Sequence, residues 1–296
     1  MNGRSGGCAL LVLVTLLLAR IVLVGTERIL LRGMGEHGAP TACTALFFGV
    51  GALVLLPFSG LWQVHDWAFL RLALPSGALY AVAYWFYVSA LSSGEVSAVA
   101  PLGGVSTVLV VALAALFHGE ALTTLKVCGA LLIAGGSAAL QRAGGVRGPA
   151  GAGRATLPAL QMLAYAALNA LTRMLDKANA GAVGATGAAA YGFVVFSVVA
   201  SAAFGLLAVR GGLASSWRLL RRLPVVTVAA GVCNGGSFLL LLLALTAIPV
   251  SVAEPLTALS LLVTAALAAI CFREPLRQRW LSTLLVVGGV WLIVLG

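Results

Sequence analysis

The sequence predicts an all-α membrane protein in which ten transmembrane helices form two inverted five-helix repeats. The first reason is composition: 61% of the 296 residues are hydrophobic and only 9% are charged, against roughly a quarter charged in soluble domains. The second is length, because apolar runs of about 18 residues or more recur along the whole chain and leave no segment long enough for a soluble catalytic domain. The third is an internal duplication.

The segment 244–276 repeats the segment 90–122 without a gap, at an offset of about 154 residues. About 13 of the roughly 33 paired positions are identical, which is typical of transporters built from repeated halves. The identical pairs include Ser97/Ser251, Pro101/Pro255, Ser106/Ser260 and Glu120/Glu274. The duplication therefore predicts two related halves, with a site at the interface between them.

Ten apolar segments have the length and composition of membrane helices. They cover residues 8–26, 40–57, 67–91, 95–117, 124–141, 156–176, 186–209, 224–247, 249–271 and 279–295. The first segment follows Arg4 as the apolar region of a secretory signal would. It lacks a small-x-small cleavage site and further spans follow it, so we interpret it as the first membrane helix.

A polar, Gly-rich stretch at 142–155 separates these segments into two sets of five. We therefore divide the chain into a first repeat at 1–141, a flexible connector at 142–155 and a second repeat at 156–296. Because five is odd, each set ends on the opposite side of the membrane from where it began. The second set must then enter the membrane upside down, and the repeats are inverted.

The charged residues and cysteines point away from soluble functions. The net charge is +10, but the Lys and Arg residues lie mostly in short connections beside the spans, where they anchor and orient helices rather than bind nucleic acid. The five cysteines lie in or beside apolar runs without a CxxC pair, so we interpret them as small hydrophobes. The sequence contains no HExxH motif and no P-loop. We predict no catalytic residue, no metal site and no cofactor.

A recurring pattern identifies a family resemblance. Each copy contains an Ala-Leu pair (90–91 and 244–245), a Pro-Leu pair (101–102 and 255–256), a Ser-bearing apolar helix and an end reading GEAL or REPL. This pattern resembles the EamA half-repeat of the drug/metabolite transporter superfamily. The resemblance implies a ten-helix secondary transporter whose cavity is lined by helices 1, 3, 4, 6, 8 and 9. It also makes Glu120 and Glu274 structural acids near helix N-termini.

The same resemblance assigns no role to Glu27, and it conflicts with the charge distribution on the orientation of the chain in the membrane. Small four-helix multidrug relatives use a glutamate in the first helix as a proton and cation site, but Glu27 falls near the predicted end of that helix, so the role is not carried over. The resemblance also places both termini in the cytoplasm. That leaves about four basic residues inside and about twelve outside, so the positive-inside rule favours the opposite orientation.

Glu254 is the most informative polar residue. It lies about five residues into the ninth predicted span, and Pro255 after it frees a backbone carbonyl one turn back. Thr257 falls on roughly the same helix face, whereas the repeat mate of Glu254 is Ala100. A carboxylate there would bind protons or cations at a cavity. If the helix starts late, Glu254 instead lies at the membrane interface.

Arg20 and Arg173 become repeat mates at an offset of about 153 residues. Paired arginines in the first helix of each half would attract a substrate carboxylate, whereas their long stems also permit snorkelling to the headgroups. Arg20 follows a long apolar run, so we predict that it binds an anion. Arg173 lies near the end of its predicted span, so we interpret it as an anchor. Asn169 shares its helix face and joins the candidate site.

An aromatic face supplies the remaining candidates. Tyr80, Tyr84 and Tyr87 repeat at i, i+4 and i+7 in the third predicted helix. At the 154 offset, Tyr80 pairs with Asn234 and Tyr84 with Phe238. Such rings suit a cavity for a moderately apolar ligand, but the same stripe is also typical of helix packing or an interfacial belt.

These observations predict a secondary active transporter in the plasma membrane: a proton-coupled exporter of a small organic metabolite, such as an amino acid, or of a drug. A flippase for a lipid-linked or amphipathic substrate is the alternative. The expected partners are the small-molecule substrate and the lipid bilayer, without nucleic acid, and the sequence leaves a homodimer open. An intramembrane enzyme or a passive receptor is disfavoured, because no metal-ligand set or soluble module is visible.

Overall fold

The computed structural model describes residues 3–61, 67–93, 100–143, 153–272 and 280–296. Within these ranges the chain is helical, with no β-strand. The first half contains α1 (Gly3–Gly35), α2 (Pro40–Leu55), α3 (Leu70–Ser93), α4 (Val105–His118) and α5 (Thr124–Ala143). The second half contains α6 (Gly153–Val209), α7 (Leu213–Arg222), α8 (Pro224–Ala247), α9 (Val250–Thr257), α10 (Ser260–Phe272) and α11 (Trp280–Leu295).

Local sequence signals explain several helix boundaries. Pro40 and Pro224 begin α2 and α8, where a proline has the right φ and lacks only an N–H that would be unpaired anyway. Gly119 follows α4 in the left-handed conformation (φ 63°) and ends it. Gly184 interrupts α6 with φ 62° and ψ −162°, so α6 consists of two helical segments. These correspond to the predicted spans 156–176 and 186–209.

Several helical segments meet the length and apolarity of a membrane span. Four do so among the described residues: Pro40–Phe58, Gly187–Val209, Pro224–Ala247 and Val250–Cys271. Shorter apolar helices cover Leu102–His118, Thr124–Ala139 and Ser282–Leu295. The all-helical membrane architecture agrees with the sequence prediction, whereas the count of ten spans and their inverted arrangement stay predictions.

Three sequence-based expectations need correction. α1 continues to Gly35, so Glu27 lies inside a helix and is buried rather than near a helix end. The ninth predicted span, 249–271, agrees in its bounds with the segment Val250–Cys271 but is not one continuous helix, because a turn at 258–259 separates α9 from α10. The fourth predicted span, 95–117, is not one continuous α-helix either. Its residues Ala100–Gly104 form a 3₁₀ turn that leads into α4. The central part of the predicted connector, 144–152, lies outside the described residues, as does Glu274.

The helices of the two halves pack reciprocally. α1 packs against α8, and α3 packs against the first part of α6; these pairs exchange places under the 154-residue offset, as expected for two related halves. α2 lies between α6 and α8, and α5 packs against α11. The site described below lies where α1, α6, α8 and α9 meet.

Glycines allow the closest of these contacts. A Cβ atom on Gly129 of α5 would lie 2.5 Å from the carbonyl oxygen of Gly289 in α11, and a Cβ on Gly289 would lie equally close to Gly129. A Cβ on Gly235 of α8 would lie 2.8 Å from the carbonyl oxygen of Gly51 in α2. Backbone therefore touches backbone at both crossings, a common way for membrane helices to associate.

Candidate functional site

Two arginines, one from each half, converge on Glu254. The Arg173 Nε atom lies 3.0 Å from Glu254 Oε2, and the Arg20 Nη2 atom lies 3.6 Å from the same oxygen. Arg20 also donates from Nε to Thr257 Oγ1 at 3.0 Å and from Nη1 to the carbonyl oxygen of Ser237 at 2.7 Å. All three charged side chains are buried. A buried Arg–Glu–Arg cluster therefore lies at the interface between the halves.

The break between α9 and α10 explains how Glu254 reaches this position. Val250 begins α9, and Pro255 and the turn at 258–259 interrupt the helix just beyond the acid. In transporters built from repeats, interrupted helices commonly place polar groups at the substrate site. Glu254 is only 8% exposed and is ion-paired inside the helix bundle, so its side chain does not lie on the outer surface of the protein. Its depth in the membrane stays a prediction.

Asp176 extends the cluster in one direction. Its carboxylate accepts hydrogen bonds from Tyr80 OH at 2.8 Å, Tyr191 OH at 2.8 Å and Ser76 Oγ at 3.3 Å. Arg173 Nη1 lies 3.0 Å from Asp176 Oδ2 and also donates to the Tyr80 hydroxyl. Asp176 is fully buried. This network holds the guanidinium of Arg173 between two carboxylates.

In the other direction the cluster borders on two adjoining cavities. Each has a volume of about 50 Å³, room for a few water molecules. Glu254, Thr257, Arg28, Tyr87 and Tyr165 line both cavities. In this conformation the space is smaller than an organic solute, so a substrate would require the halves to move apart.

Several polar atoms beside these cavities lack a hydrogen-bond partner among the described residues. They are Asn169 Oδ1, Asn234 Nδ2 and Arg28 Nη1. Glu254 Oε2 and Arg173 Nε also form no hydrogen bond of regular geometry, but they lie 3.0 Å apart and compensate each other as an ion pair. Buried polar atoms normally have partners. These three atoms offer one acceptor and two donors to water or to a ligand.

Aromatic rings form one wall of the site. Tyr84 and Phe238 line the cavity that Arg20 borders, and the Phe238 ring meets the Tyr80 ring edge to face at 5.7 Å. Tyr84 contacts Tyr80, Tyr87 and Tyr165 with centroid distances of 5.4–5.7 Å. The wall therefore combines apolar ring faces with the charged cluster opposite.

The structure brings all eight sequence-based candidates together. Arg20, Tyr84, Asn169, Asn234, Phe238, Glu254 and Thr257 line the cavities, and Tyr80 lies behind them on Arg173. Asn169 donates from Nδ2 to Ser106 Oγ of α4 at 3.0 Å. Whether these residues bind a solute stays a prediction.

The interpretation of Arg173 as a headgroup anchor was wrong. Its residue is only 5% exposed, because two carboxylates and a tyrosine surround its guanidinium inside the bundle. Sequence reasoning also passed over Asp176 and Arg28. Asp176 follows Arg173 by three residues, a spacing at which side chains meet on a helix, and that spacing is a signal that was available in the sequence.

Two charged side chains bind the backbone around the junction of α8 and α9, and the first of them, Glu120, joins the two halves. Glu120, which follows α4, accepts hydrogen bonds from the backbone amides of Val250 and Ser251 at 2.9 and 3.0 Å. Lys177 of α6 donates to the carbonyl oxygens of Leu245 and Ile248 at 2.7 and 3.0 Å. Glu120 therefore lies at a helix N-terminus, but the helix is α9 of the other half rather than the last helix of its own half.

Comparisons with known proteins agree with this architecture. The model of the EamA-like transporter family matches residues 11–141. The protein named "Probable 4-amino-4-deoxy-L-arabinose-phosphoundecaprenol flippase subunit ArnE" of Pseudomonas fluorescens (strain Pf0-1) is 38% identical over 79 residues, which are 26% of this chain and 68% of the relative. A crystal structure superposes with a TM-score of 0.71 and covers 95% of this chain and 96% of its own. At 20% identity that likeness shows the fold alone.

Proposed function

The chain belongs to the EamA-like transporter family of the drug/metabolite transporter superfamily, and we propose that it is a secondary active transporter of a small organic metabolite. It is an integral membrane protein. The proposed route runs through the cavities between the two halves, and the proposed location is the plasma membrane. By analogy with exporters that it resembles, the proposed direction is outward and the proposed coupling is to protons.

The observation that carries this proposal is the Arg20–Glu254–Arg173 cluster beside the cavities. Ionised side chains inside a membrane are costly, of order 3 kcal/mol each on insertion scales, and usually mark a substrate or ion pathway. Here the two arginines come from different halves and share one carboxylate. The Arg173–Glu254 pair lies within the second half, whereas the Arg20–Glu254 pair joins the two halves. A movement of one half against the other would therefore change the Arg20–Glu254 pair, which links the charged cluster to alternating access.

The groups around the cavities favour a solute that carries both an anionic and a donor group. Arg28 Nη1 is a donor without a hydrogen-bond partner, and two acceptors lie beside the same cavity: Asn169 Oδ1, which also lacks a partner, and the carboxylate of Glu254, which is ion-paired with both arginines. A carboxylate would suit the first and an ammonium group the other two. The neighbouring rings of Tyr87 and Tyr165 would cover an apolar part. An amino acid has this combination of groups.

The test uses purified protein in proteoliposomes with and without a pH gradient, with radiolabelled amino acids as solutes. We expect gradient-driven flux by the unaltered protein and its loss in Glu254→Gln, with exchange of solute retained. Glu254→Asp keeps the charge and should keep part of the flux. Glu36→Gln is the matched control, because Glu36 is an exposed acid paired with Arg32 at the end of α1.

Monodispersity and thermal unfolding of each variant separate a transport defect from a folding defect. Full gradient-driven flux by well-folded Glu254→Gln would remove the coupling role from this residue. No flux of any amino acid by the unaltered protein would count against the amino-acid assignment.

A flippase activity is the second candidate, favoured by the relative whose name describes a flippase subunit. An amphipathic substrate would place its polar headgroup at the charged cluster and its chain among the membrane-facing side chains. The discriminating measurement is the movement of a fluorescent lipid-phosphate analogue between leaflets of the same proteoliposomes. Accelerated movement that Arg20→Ala abolishes would favour the flippase over the solute transporter.

A further inference from the structure

The short helix α7 has no part in the cavity and lies between two membrane spans. It begins four residues after the span Gly187–Val209 ends, and the span Pro224–Ala247 begins two residues after α7 ends. Gly211, with φ 66°, makes the turn that ends α6, since the left-handed conformation suits glycine. Such short connections hold α7 at the membrane surface.

One face of α7 packs on the protein. Ser216 and Leu219 are buried, and Leu219 lies against Gly38 in the turn between α1 and α2, where a Cβ atom would come within 2.7 Å of the leucine. α7 also contacts α2 and α8. The helix is therefore docked in a defined position rather than loosely attached.

The other face of α7 is amphipathic and basic. Trp217 and Leu213 are 55% and 48% exposed, and the guanidinium of Arg221 lies 4.8 Å from the centre of the Trp217 ring. Arg218 and Arg222 are exposed beside them, and Arg210 is exposed just before the helix. An exposed tryptophan at the membrane boundary is typical of a side chain that lies among lipid headgroups.

No carboxylate balances these four arginines within the described structure. The sequence between Asp176 and Glu254 contains no acidic residue, and the nearby Glu36 is paired with Arg32. Arginine binds phosphate through two parallel hydrogen bonds, and basic side chains near a membrane surface attract anionic lipids. The positive charge of this face therefore has no negative partner among the described residues, and an anionic lipid headgroup would supply one.

We infer that the exposed face of α7 binds the phosphate groups of anionic phospholipids, with Trp217 and Leu213 inserted at the headgroup boundary. The arginines 210, 218, 221 and 222 surround the phosphates, and Ser216 and Leu219 hold the helix in place. This lipid contact is separate from the transport site and does not depend on which solute is carried.

The experiment measures lipid retention by native mass spectrometry of the full chain, purified after reconstitution in equal parts of phosphatidylglycerol and phosphatidylcholine. We expect the unaltered protein to retain phosphatidylglycerol preferentially. The triple variant Arg218→Gln/Arg221→Gln/Arg222→Gln should lose about half or more of it, because the retention depends on the summed charge.

Single variants supply the matched control. Arg71 is also exposed and lies at the start of α3, beyond the far end of the 16-residue α2, which is about 24 Å long. Arg221→Gln should reduce phosphatidylglycerol retention and Arg71→Gln should not. Equal retention by the triple variant and the unaltered protein, or equal losses in the two single variants, would overturn the inference.

Two further measurements locate the lipid. Brominated phosphatidylglycerol in nanodiscs should quench tryptophan fluorescence less in Trp217→Phe than in the unaltered protein. The unfolding temperature in detergent should rise when phosphatidylglycerol is added. It should not rise with an equal concentration of inorganic phosphate. Unchanged quenching would overturn the inserted position of Trp217, and equal stabilisation by phosphate would replace the lipid site by a site for free anions.

Discussion

Asp176→Ala tests whether the buried charge network stabilises the fold. In the structure, the Asp176 carboxylate accepts three hydroxyl hydrogen bonds and compensates the guanidinium of Arg173 at 3.0 Å. The substitution leaves these donors without their acceptor and removes one of the two carboxylates around Arg173. The expected result is a large loss in the free energy of unfolding.

The magnitude follows from two contributions. Removing one partner of a buried ion pair costs about 3–5 kcal/mol, and hydrogen bonds between membrane helices average about 0.6 kcal/mol each. Glu254 remains 3.0 Å from Arg173 and offsets part of the lost charge compensation. We therefore expect a net cost near the lower end of that range, about 3 kcal/mol.

The assay is equilibrium unfolding by a denaturing detergent in mixed micelles, followed by circular dichroism. Glu36→Ala is the matched control, because Glu36, just after the end of α1, also pairs with a nearby arginine, Arg32, at 3.1 Å, but its side chain is 48% exposed. An exposed pair of this kind contributes less than about 1 kcal/mol. If Asp176→Ala cost no more than Glu36→Ala, the network would be dispensable for stability and the reasoning refuted.

A companion variant separates charge from packing. The double change Arg173→Met/Asp176→Leu removes both charges and keeps side-chain volume, and replacing a buried pair by apolar residues is often neutral or stabilising. It should therefore unfold at a higher detergent fraction than Asp176→Ala. A double variant as unstable as the single one would place the cost in lost hydrogen bonds rather than in an uncompensated charge.

Four further predictions follow from the same contacts. Arg20→Ala should reduce solute flux at nearly unchanged expression, whereas Arg173→Ala should lower both, since Arg173 also holds Asp176; equal small effects on flux would remove the arginines from the solute path. Glu120→Gln weakens the cap on α9 and should cost about 1 kcal/mol in unfolding; an unchanged unfolding curve would contradict this. Gly129→Ala should destabilise by about 1–3 kcal/mol through overpacking, whereas Gly135→Ala on the same helix faces open space and should be neutral. A reporter fused after Gly296 should be active in the cytoplasm if the family orientation holds, and activity outside would favour the positive-inside rule.

Much of the architecture was predictable from the sequence because each membrane span is specified by a contiguous stretch of apolar residues. A span needs only a long apolar run, so the predicted boundaries 40–57 and 224–247 fall within two residues of helical segments in the structure. The duplication likewise pointed to the interface, since paired halves must meet along equivalent helices. Glu254 and Arg20 were found because a charge inside an apolar run is visible without knowing its neighbours.

The pairing of those charges depended on the tertiary structure. Arg20 meets Thr257, which lies 237 residues away in the chain, and no local pattern states how two helices are rotated against each other. The amphipathic helix α7 was missed because its buried face, Ser216 and Leu219, becomes apparent only when the turn at Gly38 packs on it.

Arg173 illustrates the physical reason most directly. A scale that sums residues one at a time places Arg173, Asp176 and Lys177 at the end of a span, because each charge alone is costly in the membrane. In the fold, Arg173 lies between Asp176 and Glu254, and Lys177 binds the carbonyl oxygens of Leu245 in the last turn of α8 and of Ile248 just after it. Asp176 is a local partner, three residues from Arg173, but Glu254 and the carbonyl oxygens that bind Lys177 come from distant parts of the chain, and only the packed structure supplies them.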